Sequence, residues 1–448
     1  MYQGLLTGEK TASLQKLLDA LNKGQTAAVY DLPESQATYL AALLTRTTGK
    51  KVLLVLPNDV AAGKAAEDAQ QLVGNISACL PGGEIELGRG VSSQESAWRR
   101  LETLQKVVSG ETMLLCVSMD AMMRRMTSPE PFHQAIIRLA PGDRIAPDQL
   151  MQDLGRMGYE RVEMVEGKGQ CALRGSIIDC YPPAGSVALR LEFFDDEVDS
   201  IRTFDCISQR SQEKLKSCVL SPATETLLPE NELKQAAQRL RQAAGLLGKD
   251  VPKEKPLFDD LPPLPEDDEE LPSFFDEQVT PRMQSAQLAA DVERRASLLQ
   301  SDADLMESGM PMKRMAAWLP VIAAQTSAVT DWFDAPIVLL VQPDQLRQRC
   351  EERRMGFAEE LQGALERGDA VQAQEQLFLN YDEVLATLKG CSIALVSEFL
   401  RSLGGIEPEV MVQLGSRGVA GYQGQVKTLA GDCAKWRQEG YCVALLSG

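Results

Sequence analysis

Short, almost continuously apolar runs recur along the chain, and they restrict the fold more than any other feature. The clearest are "KKVLLVLP", "TMLLCVS" and "APIVLLV". Such runs are typical of strands buried on both faces of a parallel sheet. Helical patterns such as "ESQATYLAALLTRTTGK" stand between them, and helices between parallel strands form layers over the sheet. The sequence therefore predicts an α/β domain.

Residues 131–222 break this rhythm. A helix is predicted with Pro147 in its first turn, Leu150 and Leu154 facing inward, and Gly158 just beyond its end. The strands that follow, "QCALRGSIIDCYP" and "SVALRLEFFDDEVDSIRTFD", flank the turn signal "PAGS" and predict a β-hairpin. We interpret this region as a small α+β domain inserted into the larger one.

The strand "VALRLEFF" has two faces of different character, because side chains alternate along a strand. One face is predicted to be buried (Leu189, Leu191 and Phe193), and the opposite face carries Arg190, Glu192 and Phe194. A phenylalanine is thus placed in water beside an arginine.

An acidic segment interrupts the second half of the chain. Residues 258–277 hold nine Asp or Glu, no Lys or Arg and four prolines, so we expect a flexible loop or tether there. The predicted organisation is a first part of the α/β domain (1–130), the insert (131–222), the remainder of the α/β domain with the acidic insertion near 250–280 (223–430), and the start of a following domain (431–448). The apolar "YCVALLSG" at the end suggests a chain cut just inside that next domain.

Composition excludes several classes of function. The formal net charge of −18 disfavours a protein that grips nucleic acid with its whole surface. Ten cysteines without a CxxC pair, and His133 as the single histidine, argue for reduced thiols in a cytoplasm and against a zinc site or a histidine-dependent hydrolase. No run approaches 18 apolar residues, so we expect no membrane span.

Nucleotide-binding motifs are degenerate. Gly167, Gly169 and Ala172 match GxGxxA, but a hairpin rather than a helix is predicted after them. A phosphate loop would follow the first strand, where its glycines fall on Tyr30 and Ser35. Its lysine and hydroxyl fall on Gln36 and Ala37, so the amide cradle and the charge partner are both missing.

The stretch "LRGSIIDCYPPAGSVALRLEFFDDEVDSIRTFDCISQRS" resembles the domain shared by UvrB and the bacterial transcription-repair coupling factor (Mfd). The resemblance extends to "KKVLLVLPNDVAAGKAAEDAQQL", "ESAWRRLETL", "DQLMQDLGRMGYERVEMV" and "WFDAPIVLLVQPD". It implies a degenerate RecA-like, P-loop-like parallel-sheet domain that carries a UvrA-binding insert. Gln342 and Pro343 stand where UvrB has an acidic box, which favours the N-terminal region of the coupling factor over UvrB.

In this family the insert captures UvrA, and the matching residues here are Arg174, Arg190 and Phe194. The resemblance further implies a full-length, ATP-driven DNA translocase that removes stalled RNA polymerase. Its C-terminal domain would cover the UvrA-binding face. ATP, Mg²⁺, DNA and RNA polymerase would be bound by domains absent from this sequence, and this chain would be non-catalytic and without a cofactor.

Three alternatives remain open at this point. Arg190 could pair with Glu192 or Asp179 while Phe194 covers a neighbouring loop, which would leave no partner site. The chain could be a direct DNA-damage binder of the UvrB type, although residues 75–95 hold no aromatic residue for a DNA-binding hairpin. It could also be a nucleotide-hydrolysing enzyme, although the phosphate-binding residues are missing.

Overall fold

The computed structural model describes residues 11–87, 94–247, 274–308, 312, 314–399, 403–414, 422, 424–440 and 443, with only the backbone for 274–289. Within these residues the strands are β1 (Ala27–Tyr30), β2 (Val52–Leu56), β3 (Ser77–Leu80), β4 (Leu114–Ser118), β5 (Ile137–Leu139), β6 (Glu160–Arg161), β7 (Gln170–Arg174), β8 (Ile177–Cys180), β9 (Ala188–Phe194), β10 (Glu197–Phe204), β11 (Ser211–Leu215), β12 (Cys218–Leu220), β13 (Ile337–Val341), β14 (Ser392–Val396) and β15 (Val410–Gln413).

The helices in the same residues are α1 (Ala12–Asn22), α2 (Glu34–Thr48), α3 (Asp59–Val73), α4 (Gln94–Val108), α5 (Met119–Met123), α6 (Pro129–Gln134), α7 (Pro147–Arg156), α8 (Glu230–Leu247), α9 (Phe274–Glu307), α10 (Leu319–Ile322), α11 (Val329–Trp332), α12 (Pro343–Glu366), α13 (Tyr381–Thr387) and α14 (Val426–Gln438). In the part of the chain described, no helix is long and apolar enough to span a bilayer.

The larger part is built on a seven-stranded sheet in the order β15-β1-β14-β13-β2-β4-β3, and every neighbouring pair is parallel. Strand β2 shows why its sequence is apolar throughout. Leu53 and Val55 enter one core, whereas Val52, Leu54 and Leu56 enter a second core on the opposite face. The parallel α/β domain expected from the apolar runs is confirmed.

The second part is a six-stranded sheet in the order β11-β10-β9-β8-β7-β6, antiparallel except for the β6–β7 pair. Helix α7 packs on one face of this sheet, with Leu150 and Leu154 fully buried. Pro147 is its first residue and Gly158 follows its end at a φ of 90°. The helix was therefore predicted correctly. A second, shorter helix, α6, crosses the predicted boundary at residue 131 and was missed.

The predicted β-hairpin is confirmed, because β8 and β9 pair antiparallel on either side of "PAGS". Each of its two predicted strands is itself divided by a further turn, which was missed. Strands β7 and β8 turn at Gly175, and β9 and β10 turn at Asp195. Both turn residues have positive φ, of 61° and 58°. Glycine and aspartate tolerate that backbone conformation, which tight antiparallel turns require. "PAGS" lies in the longer connection between β8 and β9, the two strands of the predicted hairpin.

The chain enters and leaves the second sheet through neighbouring strands. Strand β5 precedes the sheet, β12 follows it, and the two pair antiparallel, with Ile137 opposite Leu220 and Leu139 opposite Cys218. The observed connection is that of an insertion. The bounds 131–222 and the other domain limits stay predictions.

The acidic segment is only partly covered by the described residues. Helix α9 begins at Phe274, so the loop predicted for 258–277 is wrong for its last four residues. Residues 258–273 lie outside the described residues, as does nearly all of "YCVALLSG".

Candidate functional site

Strand β9 separates its side chains as its alternation predicts. Leu189 and Leu191 are buried in the core beneath α7, together with Phe193, which is 6% exposed. Arg190 and Glu192 are half-buried on the opposite face, and Phe194 at the end of the strand is 81% exposed. The two adjacent phenylalanines therefore have opposite environments.

Phe194 lies just before the β9–β10 turn and stacks on no ring or cation in the described part of the chain. The alternative in which it covers a neighbouring loop does not match an exposure of 81%. A phenylalanine this exposed offers apolar area that a partner can bury.

Arg190 is held inside the protein. Its Nε and Nη2 donate to Oδ1 and Oδ2 of Asp179 at 2.7 and 2.9 Å, and Nη1 donates to the Gln209 carbonyl and the Ser211 hydroxyl at 3.2 Å each. The guanidinium also stacks over Phe204 at 4.9 Å, which leaves the side chain 13% exposed. The hydrogen bonds to Asp179 raise the pKa of Arg190 above its ordinary value.

Arg190 therefore contributes to folding, although its strand face is the one that also carries the exposed Phe194. Asp179 is 1% exposed, and a buried carboxylate that loses its bidentate partner is costly. The ion pair between Arg190 and Asp179 is the one weighed as an alternative, but it leaves Phe194 exposed. Whether Arg190 also touches a partner stays a prediction.

Arg174 reaches the same carboxylate from the other side. Its Nη2 donates to Oδ2 of Asp179 and, at 3.4 Å, to the side-chain oxygen of Gln209. Its side chain is 42% exposed, so the rest of the guanidinium faces solvent. Strand pairing puts Arg174 opposite Ile177, and Ile177 opposite Glu192, which places Arg174 two strands from the end of β9 on the same face.

Gln209 was missed from the sequence. It lies in the β10–β11 loop at a φ of 59°, and its side-chain nitrogen donates to the Val165 and Cys206 carbonyls at 3.1 and 2.7 Å. Its two oxygens accept from Arg174 and Arg190. The only sequence signal that Gln209 positions the two arginines is that it is a polar residue in a turn.

The degenerate phosphate-loop positions follow β1, where a RecA-like fold would hold phosphate. Tyr30 ends the strand and α2 begins at Glu34, so only residues 31–33 connect them. The amides of Asp31 and Leu32 donate to the Glu398 and Ser397 carbonyls of the neighbouring connection at 3.2 and 3.4 Å. Two of the backbone donors in this connection are thus occupied. Ser35, Gln36 and Ala37 lie in the first turn of α2, with Ala37 fully buried.

The degenerate acidic-box positions follow β13, two strands away at the same edge of the sheet. Gln342 has a φ of 52° and donates its amide to the Val396 carbonyl at 2.8 Å, and Pro343 is the first residue of α12. Asp344 is engaged by the Gly404 amide at 3.1 Å.

The GxGxxA stretch serves packing. Strand β7 begins at Gln170, where a dinucleotide site would need a helix. A Cβ at Gly169, whose φ is 76°, would lie 2.7 Å from the ring of Trp98 on α4. The glycine therefore permits close contact between the inserted sheet and the α/β part.

A buried ion-pair cluster fixes the point where the chain leaves the insert. Glu225 pairs with Arg100 at 2.8 Å and with Arg124, and both arginines are buried. Burial alone would raise the pKa of Glu225, but the charges of Arg100 and Arg124 outweigh it and hold that pKa below its ordinary value. Burial lowers the pKa of Arg124 to about 10, against the charge of Glu225.

The fold and this site define a class: a degenerate P-loop-like α/β body with an inserted sheet domain that presents an aromatic–arginine surface. Residues 137–225 match the family described as the UvrB interaction domain. The chain is 24% identical to the transcription-repair-coupling factor of Bacillus subtilis over 444 residues, 98% of this chain and 34% of the relative.

Two further relatives match over shorter stretches. The transcription-repair-coupling factor of Haemophilus influenzae is 31% identical over 157 residues, 35% of this chain and 14% of the relative. The UvrABC system protein B of Thermotoga maritima is 27% identical over 252 residues, 53% of this chain and 38% of the relative. The chain is thus similar, over most of its length, to part of a transcription-repair-coupling factor, and it contains a match to the UvrB interaction domain. It spans about a third of the length of that relative.

Proposed function

We propose that this chain is a non-catalytic module that recruits UvrA in transcription-coupled nucleotide excision repair. The observation that carries the proposal is Phe194, exposed on the same face as Arg174 in a UvrB interaction domain. Aromatic and arginine side chains dominate the binding energy of protein interfaces, because a ring supplies apolar area and a guanidinium donates in a fork to carboxylates.

The three residues carried over from the family would have different roles in binding. Phe194 and the outer half of Arg174 face solvent and can touch UvrA directly. Arg190 acts mainly by holding Asp179, which in turn fixes the guanidinium of Arg174. A side chain already held in place loses less conformational entropy on binding.

Replacing Phe194 with alanine should weaken binding to purified UvrA by about 2 kcal/mol or more, the range of interface hot spots. Calorimetric or surface-based titration of the two proteins measures this loss. The matched control is Met355→Ala, which truncates another exposed apolar side chain, on α12, and should leave the affinity unchanged. Equal affinity of wild type and Phe194→Ala would contradict the proposal.

The non-catalytic part of the proposal is supported by the occupied amides after β1 and by Gln36 in place of a lysine. Without amide donors and a cation, the β- and γ-phosphates of a nucleotide have no partners. Titration with Mg-ATP should therefore give no binding heat into the millimolar range. A protein with an intact phosphate loop serves as the positive control, and micromolar affinity would contradict the expectation.

The activity of a whole protein is proposed on the resemblance alone. We infer that the module belongs to an ATP-driven DNA translocase that displaces stalled RNA polymerase. Other domains of that protein would bind the DNA, the polymerase, ATP and Mg²⁺. One of them, the C-terminal domain, would cover the surface around Phe194 until repair begins.

A further inference from the structure

Three cations stand side by side across the outer strands of the inserted sheet. Arg190 on β9 is directly opposite Arg202 on β10, and Arg202 is directly opposite Lys214 on β11. Directly opposed residues share a face, with Cβ atoms about 5 Å apart. This cationic row (Arg190, Arg202 and Lys214) therefore lies on the same face as Phe194.

The row is unfavourable within the chain itself. Like charges directly opposite each other destabilise a sheet. Arg190 is neutralised by Asp179, but the side chains of Arg202 and Lys214 form no ion pair or hydrogen bond with any residue that the structure describes. Asp and Glu outnumber Lys and Arg by 64 to 46 in this protein, yet no described carboxylate pairs with these two cations.

We propose that Arg202 and Lys214 extend the partner-binding surface from Phe194 across to β11 and bind an acidic patch of the partner protein. The inference rests on the proposed function, since it takes the partner to be UvrA. Along β9, four positions separate Phe194 from Arg190, which lies opposite Arg202, a span of about 13 Å. That distance lies within one interface of standard size, which buries about 800 Å² on each partner.

An acidic protein surface suits the row better than nucleic acid. Glu192, which accepts a hydrogen bond from the Ser200 hydroxyl at 2.7 Å, lies on the same face and would repel a phosphate backbone, as would the net charge of −18. Phe194 adds an apolar anchor, which a protein partner can enclose in a pocket.

Charge reversal tests the inference. The double variant Arg202→Glu/Lys214→Glu should raise the dissociation constant for UvrA at least about tenfold, mostly through slower association, and should flatten the dependence of association on salt. Lys64→Glu on α3 is the matched control, because this exposed lysine lies outside the inserted sheet, and it should change the constant less than about twofold.

Since Arg202 is half-buried, a second variant, Arg202→Gln/Lys214→Gln, removes the charges while keeping similar size, and it should weaken UvrA binding in the same direction. Thermal unfolding checks that both variants are folded.

If Phe194→Ala weakens binding while both double variants behave like Lys64→Glu, this inference is overturned and the proposed function stands. If Phe194→Ala also binds like wild type, the proposed function has failed. Binding of wild type to a labelled duplex at physiological salt that is lost in the double variants would overturn the inference in favour of nucleic acid.

Discussion

Replacing Phe193 with alanine is expected to remove about 3–5 kcal/mol of the free energy of unfolding of the inserted domain, because truncating a buried phenylalanine leaves a cavity. Phe193 is 6% exposed in the core formed with α7. Chemical denaturation of the purified chain, followed by fluorescence or circular dichroism, measures the loss.

The neighbouring residue is the control. Phe194→Ala truncates the same type of side chain at an exposed position. It should change the free energy of unfolding by no more than about 0.5 kcal/mol, as is usual for exposed positions. A stable Phe193→Ala together with an unfolded Phe194→Ala would mean that the two faces of β9 are assigned the wrong way round.

Replacing Glu225 with alanine should cost a comparable amount, about 3–5 kcal/mol, because it leaves Arg100 and Arg124 buried beside each other without a counter-charge. Glu95→Ala is the matched control. Glu95 pairs with Arg99 on the exposed face of α4, and such surface pairs contribute about 0–1 kcal/mol. Equal stabilities of the two variants would show that the ion pairs of Glu225 do not stabilise the fold.

The same cluster predicts a pH dependence. The folded pKa of Glu225 lies below the unfolded value, which is about 4.3 for glutamate. Its contribution is therefore fully present above that unfolded value and is lost as the pH falls through the folded pKa. The stability difference between wild type and Glu225→Gln should shrink on acidification below about pH 4.3 and stay constant between about pH 6 and 8. A difference that grew on acidification would contradict this linkage.

Local patterns were enough to predict the α/β body. The apolar runs specify parallel strands because residues such as Leu53 and Leu54 must enter cores on both faces. Alternation was equally decisive in β9, where one position separates Phe193 from Phe194. Both signals depend on neighbours within a few residues.

Contacts between distant segments could not be predicted in this way. Asp179 was considered only as one possible partner of Arg190, and Gln209 was not considered, although both fix the arginines of the site. The pairing of Glu225 with Arg100 joins residues 125 positions apart. The turns at Gly175 and Asp195, which divide the two strands of the predicted hairpin at residues of positive φ, were missed because "PAGS" was given more weight.

The pairing of β5 with β12 brings both ends of the insert to adjacent positions, about 5 Å apart, the spacing of neighbouring strands. A segment whose ends meet can be excised from one host and placed in a surface turn of another without stretching either backbone. In evolutionary terms the insert is a cassette. One recombination event would transfer its recognition specificity between unrelated motors. Each host would have to supply only basic residues that pair with Glu225, as Arg100 and Arg124 do here.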